Sequence, residues 1–449
     1  MLSNYLHVAR MLLDPDVTRV PRAVLGQLAN QGRRRLPAGV ERSLARRIPG
    51  LEGVRFVHRW LDGEMITRHN GQWVINSFLP PFPGPAYERM FNNLLSGRRL
   101  SPVSAFLALT SNCPYHCWHC SYKKRASGDL STSQWLSIIE NLHHLGASII
   151  GFTGGEPCTR SDLPQLVAAA AQKGASTILF SSGAGMDESL LRDLKTAGLW
   201  SVCLSLDHPD PKKHDDFRGA PGAHSRATSL LKAAVHLDFY TMIGAVGMRE
   251  LIPALPRLHA LGTSLGIHEL RIVEPMPCGL LASDPSNVLL TSAEIRALRD
   301  FHTQTNRKGI APKVCAFNQI ESPEVFGCGA GTQHLFIDAA GEVCPCDFTA
   351  MSFGSALCEP LPEIWTRMNA AMGNPRRHCF VRMNHRLITK NANGRFPLEP
   401  AASLRVCSEA GFEPLPDYFQ QIMGARTTEA QPSPHNTAGN PSHSPQRQL

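Results

Sequence analysis

The sequence lacks the features that would place it in a membrane or outside the cell. No uninterrupted apolar run approaches the roughly 20 residues that a membrane-spanning helix needs. The first residues also lack the charged, apolar and small-residue order of a secretory signal peptide. We therefore expect a cytoplasmic protein, and 43% hydrophobic residues are enough to bury a substantial core.

Lysine is absent before Lys123, although the net charge of the chain is +8. Residues 1–50 carry nine arginines against three acidic residues, and their apolar positions predict amphipathic helices broken by prolines. Such a segment could contact a membrane surface peripherally or an anionic substrate. A solvated helical face is the simpler interpretation, and we do not expect nucleic acid as a partner.

Thirteen cysteines without an export signal indicate metal or redox chemistry rather than a disulfide framework. Three of them, Cys113, Cys117 and Cys120, lie in one short run directly after an apolar stretch that predicts a buried strand. Three thiolates can hold three irons of a [4Fe–4S] cube and leave the fourth iron without a protein ligand. A structural zinc site completed by His116 or His119 is the alternative.

From about residue 104 to 310, short apolar runs alternate with helical stretches. Strands are predicted at 104–110, 148–152, 176–181, 201–206, 240–246 and 268–273, and helices at 132–145, 163–173, 187–197, 224–237, 253–262 and 292–306. Six βα repeats indicate an α/β fold with a parallel sheet and right-handed crossovers. The three-cysteine run follows the first strand, at the edge where such barrels carry their sites.

A second motif, Gly154-Gly155-Glu156-Pro157, follows the second predicted strand. Adjacent glycines let a backbone pass close to a ligand, and a carboxylate at a strand end can accept hydrogen bonds from an ammonium group. By itself this could be an ordinary βα turn. Its position after the cysteine run makes it a candidate binding segment.

The two motifs together resemble those of the radical S-adenosylmethionine (radical SAM) enzymes, whose cysteine loop reads C-x3-C-x-Φ-C with an aromatic residue beside the adenine. Here His119 takes that position. The resemblance implies a partial (β/α)6 TIM-like barrel, a [4Fe–4S] cluster whose open iron chelates SAM, and a GGEP segment that holds the SAM amino group. One electron then yields a 5′-deoxyadenosyl radical, which abstracts hydrogen from the substrate.

The same resemblance implies further contacts with SAM at the ends of later strands. Ser182 stands near the family's Thr-Asn-Gly, although the Asn is missing, and Ser205 and Asp207 match a Ser-x-Asp. Arg218 resembles the arginine of the following loop, with a surface salt bridge as the alternative. We also expect Arg271 and Glu274 to point towards the mouth of the site.

Residues 311–410 form a second cysteine-rich region. Its residues 335–343 predict a β-hairpin that turns at Asp338–Gly341, and the spacing of Cys328, Gly341 and Cys346 resembles the start of a SPASM/Twitch extension. The resemblance implies a second, auxiliary [4Fe–4S] cluster on Cys328, Cys346 and Cys379. The family's dense downstream cysteine group is missing, so the fourth ligand is left open among Cys344, Cys358, Cys407 or the substrate. Loop cysteines or a zinc knuckle without iron are the alternative.

The chain is therefore divided into an N-terminal helical/β extension of unknown role (1–100), the core barrel (101–310), a small cysteine-rich α+β domain (311–424) and a disordered tail (425–449). The resemblance implies a radical SAM enzyme that acts on an unactivated C–H bond of a peptide, lipid or small molecule. It would receive electrons from a donor such as flavodoxin or ferredoxin. A non-catalytic iron–sulfur carrier and a zinc-stabilised binding module are the alternatives. Cys158, Cys203 and Cys278 are expected to be buried thiols, and Cys315 is undecided.

Overall fold

The structure is a computed structural model, and it describes Pro15, Leu61 and residues 63–95, 101–125 and 128–423. The amphipathic helices predicted within residues 1–50 and the tail predicted from residue 425 fall, apart from Pro15, outside these residues. No helix in the described part of the chain is long and apolar enough to cross a membrane.

The first described elements are a small hairpin and a helix. Strands β1 (Thr67–His69) and β2 (Gln72–Val74) pair antiparallel around Asn70-Gly71, whose φ angles of 48° and 79° are those of a primed turn. Helix α1 (Pro85–Leu95) follows the proline cluster. The sequence predicted both a small β element and a helix here.

The core alternates strands and helices in the order expected from the sequence. All six predicted strands are confirmed, as are the six helices between and after them, with ends shifted by a few residues. The elements are β3 (Ser104–Ala108), α2 (Thr132–Leu145), β4 (Ile149–Thr153), α3 (Leu163–Gln172), β5 (Ser176–Ser181), α4 (Glu188–Thr196), β6 (Ser201–Ser205), α5 (Pro211–Arg218), α6 (Ala223–His236), β7 (Tyr240–Val246), α7 (Leu255–Leu265), β8 (Glu269–Val273), α8 (Pro285–Val288) and α9 (Ser292–Lys308).

The cysteine-rich region contributes strands to the same sheet. It contains β9 (Lys313–Ala316), α10 (Phe317–Ile320), β10 (His334–Ile337), β11 (Val343–Cys344), α11 (Leu361–Met372), α12 (Phe380–Lys390), α13 (Pro400–Ala410) and α14 (Asp417–Met423). In the described part of the chain the sheet order is β11-β10-β3-β4-β5-β6-β7-β8-β9. All neighbours are parallel except β10 and β11, which form the predicted hairpin. Because β10 pairs directly with β3, the hairpin extends the core sheet beside the strand that carries the cysteine loop.

Residues 67–79 close the N-terminal end of the barrel. Val74 packs against Ile149, Ile178 and Tyr240, all near the starts of their strands. The ammonium group of Lys313, which is 1% exposed, donates to the carbonyl oxygens of Val74 (2.7 Å) and Ile75 (3.1 Å). With this end filled, the carboxyl ends of the strands remain as the accessible edge of the barrel.

Candidate active site

The three core cysteines lie on the loop after β3, and all three are partly exposed. The backbone of this loop is held from several sides. The amides of Gly155 and Glu156 donate to the carbonyl oxygens of Thr110 and Asn112, each at 2.7 Å. The His116 amide donates to the Arg218 carbonyl (3.1 Å), and the Leu280 amide donates to the Cys120 carbonyl (3.0 Å). The loop is therefore fixed by the segments that follow β4, β6 and β8.

A glycine lies at each of the three points where these segments contact the loop. A β-carbon at Gly155 would overlap the Asn112 carbonyl, and one at Gly279 would overlap the Cys120 carbonyl. At Gly219, whose φ is +57°, a β-carbon would lie 2.7 Å from the His116 carbonyl oxygen. The sequence predicted that Gly155 lies close to a ligand. Its contact with the cysteine loop, like those of Gly219 and Gly279, was missed because these contacts join distant parts of the chain.

Glu156 is fully buried, and its carboxylate links β4 to β5. It accepts hydrogen bonds from the Ser181 hydroxyl (2.7 Å), the Ser182 amide (2.8 Å), the Cys158 amide (3.1 Å) and the Ser182 hydroxyl. The sequence placed Ser182 as a polar contact to the ligand, whereas here its hydroxyl faces Glu156. Ser181, which lies beside it on the same carboxylate, was missed. At Gly154 (φ +127°) a β-carbon would lie 2.6 Å from the Thr110 carbonyl oxygen.

Asp207, Arg218 and His119 meet beside the cysteine loop. One Asp207 carboxylate oxygen lies 2.7 Å from Arg218 Nε and 3.6 Å from His119 Nε2, and the other accepts from the Val246 amide at 2.9 Å. Burial opposes ionisation of Asp207, but the Arg218 guanidinium outweighs it and holds the carboxyl pKa below its usual value. The Asp207–Arg218 pair is thus buried, not on the surface. Ser205 lies partly exposed at the end of β6.

His119 presents a neutral imidazole to the site. Burial lowers its pKa to about 4, so the ring is uncharged near neutral pH. Its Nδ1 atom is buried and has no hydrogen-bond partner among the described residues. A buried polar atom of this kind usually has a partner, so Nδ1 is available to a ligand at this position.

The donors around the cysteine loop suit an iron–sulfur cube. Burial raises the pKa of Cys113 to about 11 and that of Cys117 above its usual value, so these thiolates need a cation or metal. Arg218 supplies one cation, with Nη1 3.9 Å from Cys117 Sγ. No group of three or more His, Cys, Asp or Glu side chains in the described residues could hold a single metal ion. A cube differs because it takes one thiolate at each iron.

A second group of cysteines forms where three separate elements meet. Cys328 precedes β10, Cys346 follows β11, and Cys379 immediately precedes α12. A hydrogen bond from Cys379 lowers the pKa of Cys328, and Cys346 is close enough for its charge to interact with that of Cys328. Cys379 Sγ also lies 3.8 Å from the sulfur of Met276, which belongs to the segment after β8.

The three cysteines that the sequence offered as a possible fourth ligand each lie in an environment different from that of Cys328, Cys346 and Cys379. Cys344 Sγ accepts a hydrogen bond from Arg125 Nη1 at 3.5 Å. Cys407 Sγ is buried 3.7 Å from the sulfur of Met372, and Cys358 is exposed at the surface. Cys158, Cys203 and Cys315 are buried thiols in the core, and Cys158 Sγ lies 3.4 Å from the Ser181 hydroxyl.

The segment after β8 touches both cysteine groups. Met276 contacts Cys379, while Gly279 and Leu280 contact Cys120 three residues further on. Within this segment Cys278 is buried, and Glu274 pairs with Arg382 at 3.2 Å.

Arg271, two residues after the start of β8, was expected to point towards the site mouth. It instead donates to the Ser77 hydroxyl at 2.7 Å and lies 3.9 Å from the ring centre of Phe78. Arg271 therefore contacts the segment that closes the opposite end of the barrel.

Comparison with known proteins agrees with this geometry. The family model of the radical SAM superfamily matches residues 107–253, and that of an iron–sulfur cluster-binding domain, SPASM, matches residues 328–390. The chain is 30% identical to the PqqA peptide cyclase of Streptomyces rochei over 277 residues, covering 59% of this chain and 76% of that protein. It is 26% identical to the AdoMet-dependent heme synthase of Nitratidesulfovibrio vulgaris over 294 residues, covering 60% of this chain and 80% of that protein.

The fold is also similar to that of solved structures. Streptococcus suis SuiB bound to S-adenosylmethionine superposes with a TM-score of 0.54 at 15% identity, covering 71% of this chain and 81% of that one. SuiB bound to its precursor peptide SuiA gives a TM-score of 0.51 at 15% identity, covering 67% and 72%. At this identity the likeness concerns the fold alone.

A parallel barrel that carries three clustered thiols at the carboxyl ends of its strands is the framework of an iron–sulfur enzyme. The chain belongs to the radical SAM superfamily and carries a SPASM domain. It is therefore an enzyme that uses SAM and a [4Fe–4S] cluster, with additional iron–sulfur binding in the SPASM domain. The carrier and zinc-module alternatives are set aside.

Proposed function

We propose that this enzyme cleaves SAM reductively at a cluster held by Cys113, Cys117 and Cys120 and abstracts hydrogen from a C–H bond of a peptide. When bound, the cluster and SAM supply the electron transfer and the 5′-deoxyadenosyl radical. The observation that carries the proposal is the cysteine loop itself. Its three thiols are partly exposed, and its backbone is fixed at three glycines.

The surrounding residues would bind and orient SAM. Backbone groups at Gly154, Gly155 and Glu156 lie at the end of β4 beside the loop, where they would meet the amino group. Arg218 would pair with the carboxylate, and Asp207 would hold that guanidinium in place. Neutral His119, with Nδ1 unpaired among the described residues, would face the adenine. Ser182 and Ser205 would complete the polar edge.

The SPASM cysteines would hold a second cluster beside the barrel. Cys328, Cys346 and Cys379 are the proposed ligands, because Cys379 is hydrogen-bonded to Cys328 and Cys346 lies near enough for its charge to interact with that of Cys328. Cys344, Cys358 and Cys407 have other surroundings, which favours a fourth position open to substrate over ligation by one of them. An iron there would face the segment that links the two cysteine groups.

The first test is SAM cleavage. Anaerobic reconstitution with iron and sulfide, then reduction with dithionite in the presence of SAM, should give 5′-deoxyadenosine detectable by mass spectrometry. A Cys113/Cys117/Cys120→Ala triple variant should form none and should keep about four irons in the second cluster. Wild-type protein that is loaded with iron but forms no 5′-deoxyadenosine under any reductant would contradict the proposal.

A peptide substrate is supported by the similarity to a peptide cyclase, while the similarity to heme synthases keeps a small molecule as the second candidate. Cells grown in deuterated medium can be separated into peptide, lipid and small-molecule fractions. If the substrate is a peptide, only the peptide fraction should transfer deuterium into 5′-deoxyadenosine. Transfer from the lipid or small-molecule fraction alone would overturn the peptide assignment without affecting SAM cleavage.

A further inference from the structure

An arginine is buried at the second cysteine group without a carboxylate partner. Arg376 is 4% exposed, and its Nη2 atom donates to the Gly411 carbonyl oxygen at 2.6 Å. Its guanidinium carbon lies 4.9 Å from the ring centre of Phe380. The Nε atom is buried and has no hydrogen-bond partner among the described residues. No carboxylate in the described part of the chain pairs with Arg376, so no ion pair balances its charge there.

The backbone places Arg376 beside the proposed ligands of the second cluster. Cys328 and Arg376 face each other in an antiparallel bridge, and the Cys328 amide donates to the Arg376 carbonyl oxygen at 2.7 Å. Residues directly opposite each other in such a bridge carry their side chains on the same face, with β-carbons about 5 Å apart. Phe380, which the guanidinium contacts, directly follows Cys379. Arg376 is therefore held next to two of the three proposed ligands.

A buried cation is stable only where negative charge compensates it. Taking a guanidinium out of water costs several kcal/mol unless an anion lies nearby. Cysteines bind iron as thiolates, so a cluster on the three SPASM cysteines brings negative charge to this place. One further electron makes the cluster more negative by one charge, and a nearby cation then stabilises the reduced form more than the oxidised form. The unpaired guanidinium of Arg376 is placed to have this effect.

We propose that Arg376 is a positioning residue that raises the reduction potential of the second cluster, which rests on the proposed ligation by the three SPASM cysteines. In the couple concerned, the cluster gains one electron from the reductant, and no bond forms or breaks. Glu321 and Asp347 also interact by charge with this cysteine group. Both remain when Arg376 is replaced, so a comparison of variants measures the loss of one positive charge. A higher potential makes the second cluster a better electron acceptor.

The experiment measures the second cluster alone, in the triple variant that lacks the core thiols. In this background Arg376→Met removes the charge and Arg376→Lys retains it. The full-length protein is reconstituted anaerobically with iron and sulfide and titrated against solution potential, with EPR to quantify the reduced form. The matched control is Arg89→Met. Arg89 also donates to two backbone carbonyl oxygens, those of Ala147 (2.8 Å) and Lys173 (2.7 Å), but at the closed end of the barrel.

The expected result is a shift that follows the charge. At any given potential, Arg376→Met should lower the ratio of reduced to oxidised cluster about tenfold, which is about 59 mV for a one-electron couple. Arg376→Lys should stay within about twofold of the parent ratio, and Arg89→Met should leave it unchanged. An unchanged ratio in Arg376→Met at full iron content would overturn the proposal. An equal shift in Arg376→Lys would do the same, because it would show that packing rather than charge sets the potential.

Loss of iron also decides between outcomes. If Arg376→Met holds no cluster, Arg376→Gln takes its place, since it keeps a donor for the Gly411 carbonyl but carries no charge. Loss of iron from both neutral variants, with full iron in Arg376→Lys, would support a charge contact with the cluster. Loss from all three would overturn the proposal in favour of a packing role. A parent triple variant without iron would overturn the second cluster itself, whereas SAM cleavage by wild type tests the core site separately.

Discussion

The three cysteines of the core site lie within eight residues on one loop, whereas those of the second site are spread from Cys328 to Cys379 over three elements. The core thiols are grouped by sequence spacing, and tertiary structure holds the backbone of their loop at Gly155, Gly219 and Gly279. The second group exists only when β10, β11 and α12 are assembled. A local motif is therefore recognisable in the sequence, whereas a distributed site depends on the whole fold.

The largest expected effect comes from removing a single thiol from one site or from the other. Cys117→Ala should abolish 5′-deoxyadenosine formation, because it removes one of three thiols at the core cluster. Cys379→Ala should lower iron content by about four atoms but keep SAM cleavage in the absence of substrate. Iron analysis and mass spectrometry check both variants.

The matched control is Cys358→Ala, since Cys358 is exposed at the surface. It should leave iron content and SAM cleavage unchanged. The distinction between the sites fails if Cys379→Ala loses SAM cleavage while retaining the full iron content.

The next prediction concerns the backbone that fixes the core loop. In Gly155→Ala the new methyl group would overlap the Asn112 carbonyl, so the loop between Thr110 and Cys113 must move. A displacement of this kind should lower the rate of SAM cleavage by about 100-fold, since misplacement by an ångström is costly in a preorganised site. Single-turnover measurements with dithionite check it, and normal cleavage would show that the loop tolerates movement.

A smaller effect, with a closely matched control, is expected at two neighbouring glycines. Gly219 and Gly222 both have positive φ, at +57° and +78°, so alanine costs each of them backbone strain. Only at Gly219 would the β-carbon press on the cysteine loop, 2.7 Å from the His116 carbonyl oxygen, whereas Gly222 faces open space. Gly219→Ala should slow SAM cleavage by about tenfold, and Gly222→Ala by less than about twofold. Equal rates of SAM cleavage in the two variants would show that the contact between Gly219 and the cysteine loop does not affect catalysis.

The sequence predicted those parts of the molecule that are encoded locally. The six core strands were predicted because they are short apolar runs, buried on both faces. Helix α5 was missed because Pro211–Arg218 is almost entirely polar and has no apolar period. The pairing of β10 with β3 could not be predicted because it joins residues about 230 positions apart, such as Ser104 and His334.

The candidate site likewise has a part that the sequence predicted and a part that it did not. The cysteine spacing and the Gly-Gly-Glu motif predicted a candidate binding loop, but the partners of individual side chains depend on tertiary contacts. Ser181 and Ser182 both face Glu156, and Arg271 faces Ser77, 194 residues earlier in the chain. No local pattern specifies such contacts.

The smallest prediction concerns the closed end of the barrel, away from both cysteine groups. Burial lowers the pKa of Lys313 to about 8, below its value near 10.5 in the unfolded chain. Between these values the unfolded state binds more protons than the folded state, so the free energy of unfolding should rise as pH increases from about 8 to 10. The corresponding rise in melting temperature is about 4 °C, measured anaerobically on the cluster-loaded enzyme.

Lys313→Met should remove this rise, because the variant has no ammonium group to deprotonate, whereas Lys390→Met, at an exposed position, should retain it. The comparison between the two variants cancels the titration of other side chains, which all three proteins share. Because Lys313 binds Val74 and Ile75 and touches neither cysteine group, SAM cleavage by the folded variant should stay within about twofold of wild type. A larger loss of cleavage would mean that the segment closing the barrel acts on the cysteine loop through the sheet.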